Sequence, residues 1–441
     1  MNINLPKDVN YIIDTLESNG YEAFAVGGCV RDTLLSKTPM DWDITTNALA
    51  EDIIRIFPHT IPTGIKHGTI TVMLDSNPYE VTTYRIDGEY TDNRHPDKVI
   101  FTNSLTKDLS RRDFTINAMA YNYKSGLQDP FNGQLDLKQN TIKCVGAANL
   151  RFKEDALRML RAVRFSTQLE FSIEQNTFEA IKANNLLIKN VSQERIQVEL
   201  GKILVSNKPS NGILALQETH LLQHIIPELT QCVGFEQHNP HHDKDVFIHT
   251  MMVLDNTPKN LPLRLAALFH DIAKPKCFSI DDKGIGHFYM HHIEGSVIAE
   301  NILKRLKFDN HTIEKVCILI KEHMSGKQPM KPTAVKKLIT RVGIDNIEDL
   351  FALQIADIKG GKTSDDTSAV IKLKEKVHEI LEKELPLTVK DLAVNGSDLI
   401  NIGYKKGKEI GIVLNKLLDV VLENPELNTS EQLLEFAKQL H

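Results

Sequence analysis

The sequence predicts an α/β head, a mixed sheet packed with helices, followed by an all-α remainder. Three observations predict it. Segments rich in β-branched and aromatic residues alternate with helical patterns through about residue 140. From about residue 150 the strand signals fade and amphipathic helices take over. A chain of 441 residues also exceeds what one core organises, so two to four domains are expected. Polar stretches at QHNPHHDKD (237–245) and KGGKTSDDTS (359–368) suggest boundaries, giving 1–145, 146–237, 238–365 and 366–441.

In chain order, DVNYIIDTLESNG reads as a helix that ends at Gly20. YEAFAV, DWDITT, GTITVML and YEVTTYRI read as strands. EDALRMLRAVRFSTQL, NTFEAIKANNLLI and QERIQVELGKILV read as amphipathic helices, and the tail as short helices around Gly turns. Composition is that of a globular protein, 41% hydrophobic and 25% charged. Apolar runs such as LPLRLAALF are short and interrupted by charge, so no membrane span is expected, and MNINLPKDVNYIIDTL lacks the pattern of a signal peptide. Five scattered cysteines without a C-x-x-C pair fit reduced thiols and a cytoplasmic protein. The net charge of −6 disfavours a nucleic-acid binder, yet residues 141–210 hold 11 Lys+Arg against 7 Asp+Glu, enough for a local basic patch.

The chemistry begins at FAVGGCVRDTLLSKTPMDWDI (24–44). Residues two apart on a strand share a face, so Asp41 and Asp43 are expected to grip one metal cluster, with Glu80 from a neighbouring strand as third acid. Magnesium takes such hard oxygen ligands together with substrate phosphates, and two ions suit a hydroxyl attacking a phosphate. D-x-D alone reads rather as the end of a solvated strand. Gly27-Gly28 adds a turn where backbone amides can approach phosphate, and VRDTLL a helix that starts beside it and carries Arg31. In RRDFTINAMAY (111–121), Arg112 is expected to reach phosphate and Asp113 a ribose hydroxyl, ahead of a helix. Asp129 and Asp136 of DPFNGQLDL are expected to bond backbone.

In EDALRMLRAVRF, Asp155, Arg158, Arg161 and Arg164 recur every three residues and predict a stripe along one helix. A carboxylate acceptor beside a guanidinium donor matches the amino group and ring nitrogen of cytosine and adenine, and mismatches guanine and uracil. Taken alone, the pair reads rather as a surface ion pair.

In this order, GGCVRD…DWD, EVTTYR, RRDFTINAMA, DPFNGQLDL and EDALRMLRAVRF resemble the motifs of class II CCA-adding tRNA nucleotidyltransferases, over about the first 230 residues and again at DLAVNGSDLINIGYKKGKEIG. The resemblance implies a head of the DNA polymerase beta superfamily followed by helical neck, body and tail. It implies CTP and ATP as substrates and the tRNA 3′ end as acceptor. Gly28 and Arg31 would hold the triphosphate and Asp41 and Asp43 the magnesium ions. Arg112 would contact nucleotide, and Asp155 with Arg158 would template the base. Arg161 and Arg164 would extend that face. RIDGEYTDNRHP (85–96) resembles the loop that accompanies A addition, which favours complete CCA addition over an A-only enzyme. A poly(A) polymerase with the same head is the other transferase reading.

The second half is rich in histidine. His249, His270-Asp271 and Asp357 form an ordered H…HD…D set on separate predicted helices, the donor types of a buried divalent-metal site. The order resembles the HD phosphohydrolase domain, which implies phosphatase or 2′,3′-cyclic phosphodiesterase action if the domain is active. A phosphohydrolase whose head only binds RNA is the rival from another class. His291, His292 and His323 are candidate further ligands and Lys274 a phosphate contact, although HHIEG also fits plain surface histidines. IKGGKTS is no P-loop, because the first glycine of that motif would fall at Ala356 and no strand precedes it. Lysines and glycines of YKKGKEIG (404–411) fit an RNA backbone contact or a solvated helix connection. No oligomeric state follows from the sequence.

Overall fold

A computed structural model describes residues 3–88, 99–238, 244–326, 329–361, 366–383 and 386–440. Most of the segment 85–96 and the middle of both predicted boundary stretches lie outside the described residues. The chain divides into two compact units, Met1–Pro227 and Glu228–His441. Among the described residues no helix is long and apolar enough to cross a membrane.

The first unit opens with α1 (Lys7–Ser18), whose Val9, Ile12, Ile13 and Leu16 follow helical spacing and are fully buried. Gly20, at φ 87°, lets the chain turn off its end. The sheet is built from β1 (Ala23–Val26), β2 (Asp43–Thr46), β3 (Thr60–Gly64), β4 (Thr69–Leu74), β5 (Asn77–Thr83), β6 (Ala120–Asn122) and β7 (Gly126–Gln128). Their order is β3-β4-β5-β2-β1-β6-β7. All neighbours are antiparallel except β2 and β5. That parallel pair sits mid-sheet, and β1 beside it is buried along its whole length.

Between β1 and β2 runs α2 (Gly28–Leu34), and before β6 runs α3 (Leu105–Ser110). The helix predicted for RRDFTINAMAY does not form. Residues Thr115–Asn117 make one 3-10 turn and the chain continues as β6, paired with β1. The reason is local: Asp113 accepts from the backbone N–H of Phe114 at 2.8 Å and from the Asn117 amide at 3.1 Å, which competes with helix propagation.

The head is followed by α4 (Ala148–Glu154), α5 (Leu157–Leu169) and α6 (Gln193–Leu204), with α5 packed on α6. The single helix expected through EDALRMLRAVRF is therefore two. Asp155 is extended, φ −135° and ψ 104°, and its carboxylate accepts from Leu157 N–H at 3.1 Å, restarting the chain as α5.

Among its described residues the second unit is helical apart from one hairpin. Its central elements are α7 (Val246–Asn256), α8 (Leu261–Phe269), the strands β8 (Phe278–Ile280) and β9 (Gly286–Phe288), α9 (His291–Arg305), α10 (Asn310–Glu322) and α11 (Ile344–Gly360). Packing of α7 on α11 and of α8 and α9 on α10 brings distant histidines together. The glycines of IKGG end α11, so no phosphate loop forms there. Among the described residues four tail helices follow, Ser368–Glu382, Gly396–Asn401, Lys408–Glu423 and Ser430–Gln439.

Candidate functional site

The parallel strand pair positions the acids of the head. Asp43 on β2 stands in register with Glu80 on β5, as the strand reading required. Asp41 departs from expectation, because it precedes the strand that Asp43 opens. Crowding by protein is the largest influence on the Asp43 carboxyl and pushes its pKa up. The Arg112 guanidinium opposes the rise, while Glu80 and Asp41 add to it. Carboxylates that repel one another in this way gain from a shared divalent cation. The three acids fit a hard ion that completes its shell with substrate phosphate.

Gly27 has φ 84°, a conformation that favours glycine, and a Cβ there would fall 2.8 Å from Arg112 Nη1. Arg112 thus presses against the Gly-Gly turn while remaining within electrostatic reach of Asp43. Its Nε is buried without a hydrogen-bond partner. Behind it, fully buried Asp108 accepts from Arg111 Nε at 3.0 Å, from Thr45 of β2 at 3.3 Å and from Arg85 N–H at 3.2 Å.

Arg31 is folded inward. It donates to Asn117 Oδ1 at 2.6 Å, pairs with Asp32 at 2.8 Å and lies 5.0 Å over the Phe165 ring. Arg161 and Arg164 approach the same ring, at 5.2 and 3.8 Å. Phe165 is therefore the floor under three guanidinium groups. Asp113 is not free for a ribose. It is buried and grips Arg161 at 2.6 Å as well as Asn117 and its own turn. Burial alone would raise the Asp113 carboxyl; Arg161 and Asn117 overcome it and hold the group well below the usual carboxylate range. Arg164 is likewise engaged, donating to buried Glu199 and to Gln168 at 2.8 Å. Asp129 accepts from the N–H groups of Gly133 and Gln134 as expected, whereas Asp136 accepts from the Thr115 hydroxyl.

The side chains of Asp155 and Arg158 are not partners of each other. Asp155 takes both terminal nitrogens of Arg195, at 3.2 and 2.8 Å. Arg158 donates to Glu154 at 2.8 Å and to the Arg111 carbonyl at 2.8 Å. Each retains capacity: a carboxylate oxygen has a second lone pair, and a guanidinium has five N–H groups. Sequence reasoning missed Asp108, Asn117, Arg195 and Glu199. The last two lie four residues apart on α6, a spacing that puts both on one helix face, and that was the available signal.

The second unit gathers its histidines tightly. His249 Nε2 lies 3.1 Å from Asp357 Oδ1 and 3.5 Å from Asp271 Oδ2, and His270 Nε2 lies 3.1 Å from Asp271 Oδ2. The H…HD…D set therefore converges as predicted. His291 and His323 join it, their Nε2 atoms 3.4 Å apart, so the surface reading of HHIEG does not hold for His291. Against burial, which would lower it, Asp271 and Asp357 raise the His270 imidazole to about 10, while burial and then His270 push His323 down to about 3. Lys274 bonds Gln237 Oε1 at 2.8 Å and lies 2.7 Å from Asp271. Among the described residues, the groups whose ligand atoms converge within 4.8 Å are both in this unit.

A polymerase-beta-like sheet with acids on adjacent strands and a glycine turn beside them defines a nucleotidyltransferase head, and residues 23–143 match the model described as "Poly A polymerase head domain". Residues 170–232 match "Probable RNA and SrmB- binding site of polymerase A", and 288–437 match "tRNA nucleotidyltransferase domain 2". The CCA-adding enzyme of Ligilactobacillus salivarius is 35% identical over 97% of this chain and 95% of its own; that of Staphylococcus haemolyticus is 33% identical over 97% and 96%. The crystal structure of the Bacillus stearothermophilus CCA-adding enzyme in complex with CTP superposes with a TM-score of 0.72 at 28% identity, covering 98% of this chain and 96% of that one. The Thermotoga maritima enzyme complexed with tRNA, 21% identical with a TM-score of 0.58, shares the fold. This chain belongs to the CCA-adding enzyme family.

Proposed function

We propose that the protein builds or repairs the complete 3′-terminal CCA of tRNA from CTP and ATP in the cytoplasm, with Asp41, Asp43 and Glu80 as the acids of the reaction. The register of Asp43 with Glu80 carries the proposal. Divalent ions bound there, magnesium by donor chemistry, supply activation of the attacking 3′-hydroxyl and charge neutralisation of the leaving pyrophosphate. The chain's own groups do the rest. The Gly27-Gly28 turn and Arg112 receive the triphosphate. Arg31, Arg161 and Arg164 maintain positive potential over Phe165, with Asp113 as the anchor of Arg161. Asp155 accepts from the amino group of cytosine or adenine, and Arg158 donates to the ring nitrogen, in a site ordered by Arg195 and Glu154.

The four-part division of the chain belongs to the same reading: head 1–145, neck and body 146–237, HD domain 238–365 and tail 366–441. The acidic net charge and the histidine-rich unit weigh against a poly(A) polymerase. The test is incorporation on tRNA lacking CCA, with each NTP alone and in pairs. Two C residues with CTP alone, one further A when ATP is added, and then a stop are expected. No C addition with CTP, and A added only where the tRNA already ends in CC, supports the A-only alternative, and continued A tailing supports the polymerase.

A second reading rests on the convergence of His249, His270, Asp271 and Asp357. It is a divalent-metal phosphohydrolase acting on phosphate at RNA ends, 2′,3′-cyclic ends included. Metal bound there supplies Lewis-acid activation of water. Opening of a 2′,3′-cyclic end to a phosphomonoester, or release of phosphate from a monoester end, by the intact chain and lost in His270→Ala, tests it; the absence of both overturns it without touching nucleotide addition.

A further inference from the structure

Asp108 is fully buried on α3, where a carboxylate persists only if charge and hydrogen bonds hold it. Its two oxygens are held by different groups. Oδ1 accepts from Arg111 Nε at 3.0 Å, lies 2.9 Å from Arg111 Nη2, and accepts from the Arg85 N–H at 3.2 Å. Oδ2 accepts from the Thr45 hydroxyl at 3.3 Å and lies 3.7 Å from Arg112 Nη2. One carboxylate therefore touches three stretches of chain: β2 at Thr45, the chain leaving β5 at Arg85, and the Arg111-Arg112 pair. Thr45 is two residues beyond Asp43 on β2, so both side chains lie on one face of the strand. The Arg111 carbonyl in turn receives Arg158 Nη2 at 2.8 Å.

Arg112 is otherwise loosely tied. Its Nε is buried without a hydrogen-bond partner, and its Nη1 packs against the Gly27 turn. Burial disfavours its charge; Asp108 is the strongest carboxylate offsetting that, ahead of Asp43 and Asp113, while Arg111 opposes. The other two carboxylates have other tasks. Asp113 pairs with Arg161 at 2.6 Å, and Asp43 is an acid of the proposed metal site. Once Asp43 is engaged by a cation, its pull on Arg112 is cancelled. Asp108 is the counter-charge that remains. Two guanidinium groups around one carboxylate still leave a positive charge uncompensated, which suits a triphosphate.

We propose that Asp108 is the positioning residue of the head: it holds Arg112 beside the Gly27-Gly28 turn and, through Thr45, in a fixed place relative to Asp43. The guanidinium then stands ready for the triphosphate instead of being ordered by it. The inference rests on the proposed role of Arg112 in receiving triphosphate. Fully buried, Asp108 acts through Arg112, so its loss should weaken nucleotide binding more than turnover. Asp108→Asn isolates the charge. It keeps the shape and lets Oδ1 go on accepting from Arg111 and Arg85, while an amide NH2 replaces the oxygen beside Arg112.

The test is a double-mutant cycle in the full-length chain: wild type, Asp108→Asn, Arg112→Met and the two combined, with circular dichroism on each. Equilibrium titration with CTP and Mg2+ gives Kd, and addition of CMP to tRNA lacking CCA gives kcat. Asp108→Asn should raise Kd by about tenfold or more, with kcat within about threefold of wild type. The double variant should bind CTP no worse than Arg112→Met alone. A merely structural Asp108 would multiply its loss onto that of Arg112→Met; that result, or an unchanged Kd in Asp108→Asn, overturns the proposal. If Asp108→Asn does not fold, Thr45→Val replaces it in the cycle, because it removes only the hydroxyl that holds Oδ2. It should raise Kd about two- to fivefold in the wild type and leave that of Arg112→Met unchanged. An equal rise in both, or none in either, overturns the proposal. A wild type that adds no nucleotide overturns the proposed function and this inference with it. Wild-type addition with an unaltered Kd in the variants overturns this inference alone.

Discussion

Asp43 on β2 and Glu80 on β5 face each other in register across the one parallel strand pair of the head sheet. The pair places two carboxylates side by side, beside the turn that Arg112 presses against, and Asp41 stands near enough to add to the repulsion. Asp43→Ala removes a donor that no neighbour replaces. Single-turnover addition of CMP to tRNA lacking CCA should fall by about a thousandfold or more, with the melting temperature unchanged within a few degrees because Asp43 opens a strand rather than filling the core. Glu80→Ala should be less severe, and its defect should shrink as metal concentration rises.

Gly27 and Gly28 should respond differently to the same methyl group. At Gly27 the backbone lies at φ 84° and the new Cβ would meet Arg112 Nη1 at 2.8 Å, whereas at Gly28 the nearest atom, Arg31 Nη2, is 3.7 Å away. Gly27→Ala should cost about 1–2 kcal/mol of stability and raise the KM for CTP by about tenfold or more as Arg112 shifts. Gly28→Ala should change stability by well under half that. Denaturant unfolding with steady-state kinetics on both variants checks it; equal effects would mean that Arg112 is not held by the turn.

Base selection should depend on a residue that touches no base. Arg195 holds both oxygens of Asp155. Arg195→Ala should let that carboxylate swing, reducing preference for CTP and ATP over UTP and GTP by roughly 10- to 100-fold, the range of one good two-bond match. Asp155→Ala should do at least as much. Incorporation of each NTP at matched concentration measures it. Selectivity intact in both variants would remove Asp155 from the templating role.

Acid stability should trace to Asp113. Its folded pKa lies below the unfolded value of about 3.9. Such a group contributes its stability in full above that value and loses it as pH falls through the folded pKa. The melting temperature of the wild type should therefore drop more steeply than that of Asp113→Asn between about pH 4 and pH 2. At pH 7 the variant should be less stable by about 1–3 kcal/mol, because half-buried Arg161 loses its charged partner and is left beside a neutral amide. Parallel melting curves would contradict the pairing.

The parts of this molecule legible in the sequence are those whose signal is local. β-Branched and aromatic content marked β2 and β5, so Asp43 and Glu80 could be placed on neighbouring strands from the sequence. The order H…HD…D marked His249, His270, Asp271 and Asp357. The losses occurred where a partner far along the chain decides the outcome. EDALRMLRAVRF has the pattern of one helix, but Asp155 bonds Arg195, forty residues on, and Leu157 N–H beside it, and the helix breaks there. RRDFTINAMAY has helical composition, but pairing of Ala120 and Tyr121 with β1 prevails. Nothing in the spacing of His291 and His323 told which way their rings point; the packing of α9 against α10 decides that. Phe165 looks like any core aromatic until Arg31, Arg161 and Arg164 are seen around it.

The most direct measurement of the central claim is a crystal of the protein soaked with CTP and Mn2+, with data collected at the manganese edge. Anomalous peaks between Asp41, Asp43 and Glu80, with the triphosphate over the Gly27-Gly28 turn beside Arg112, are the result predicted. Nucleotide density away from these acids, with no anomalous signal among them, would contradict it.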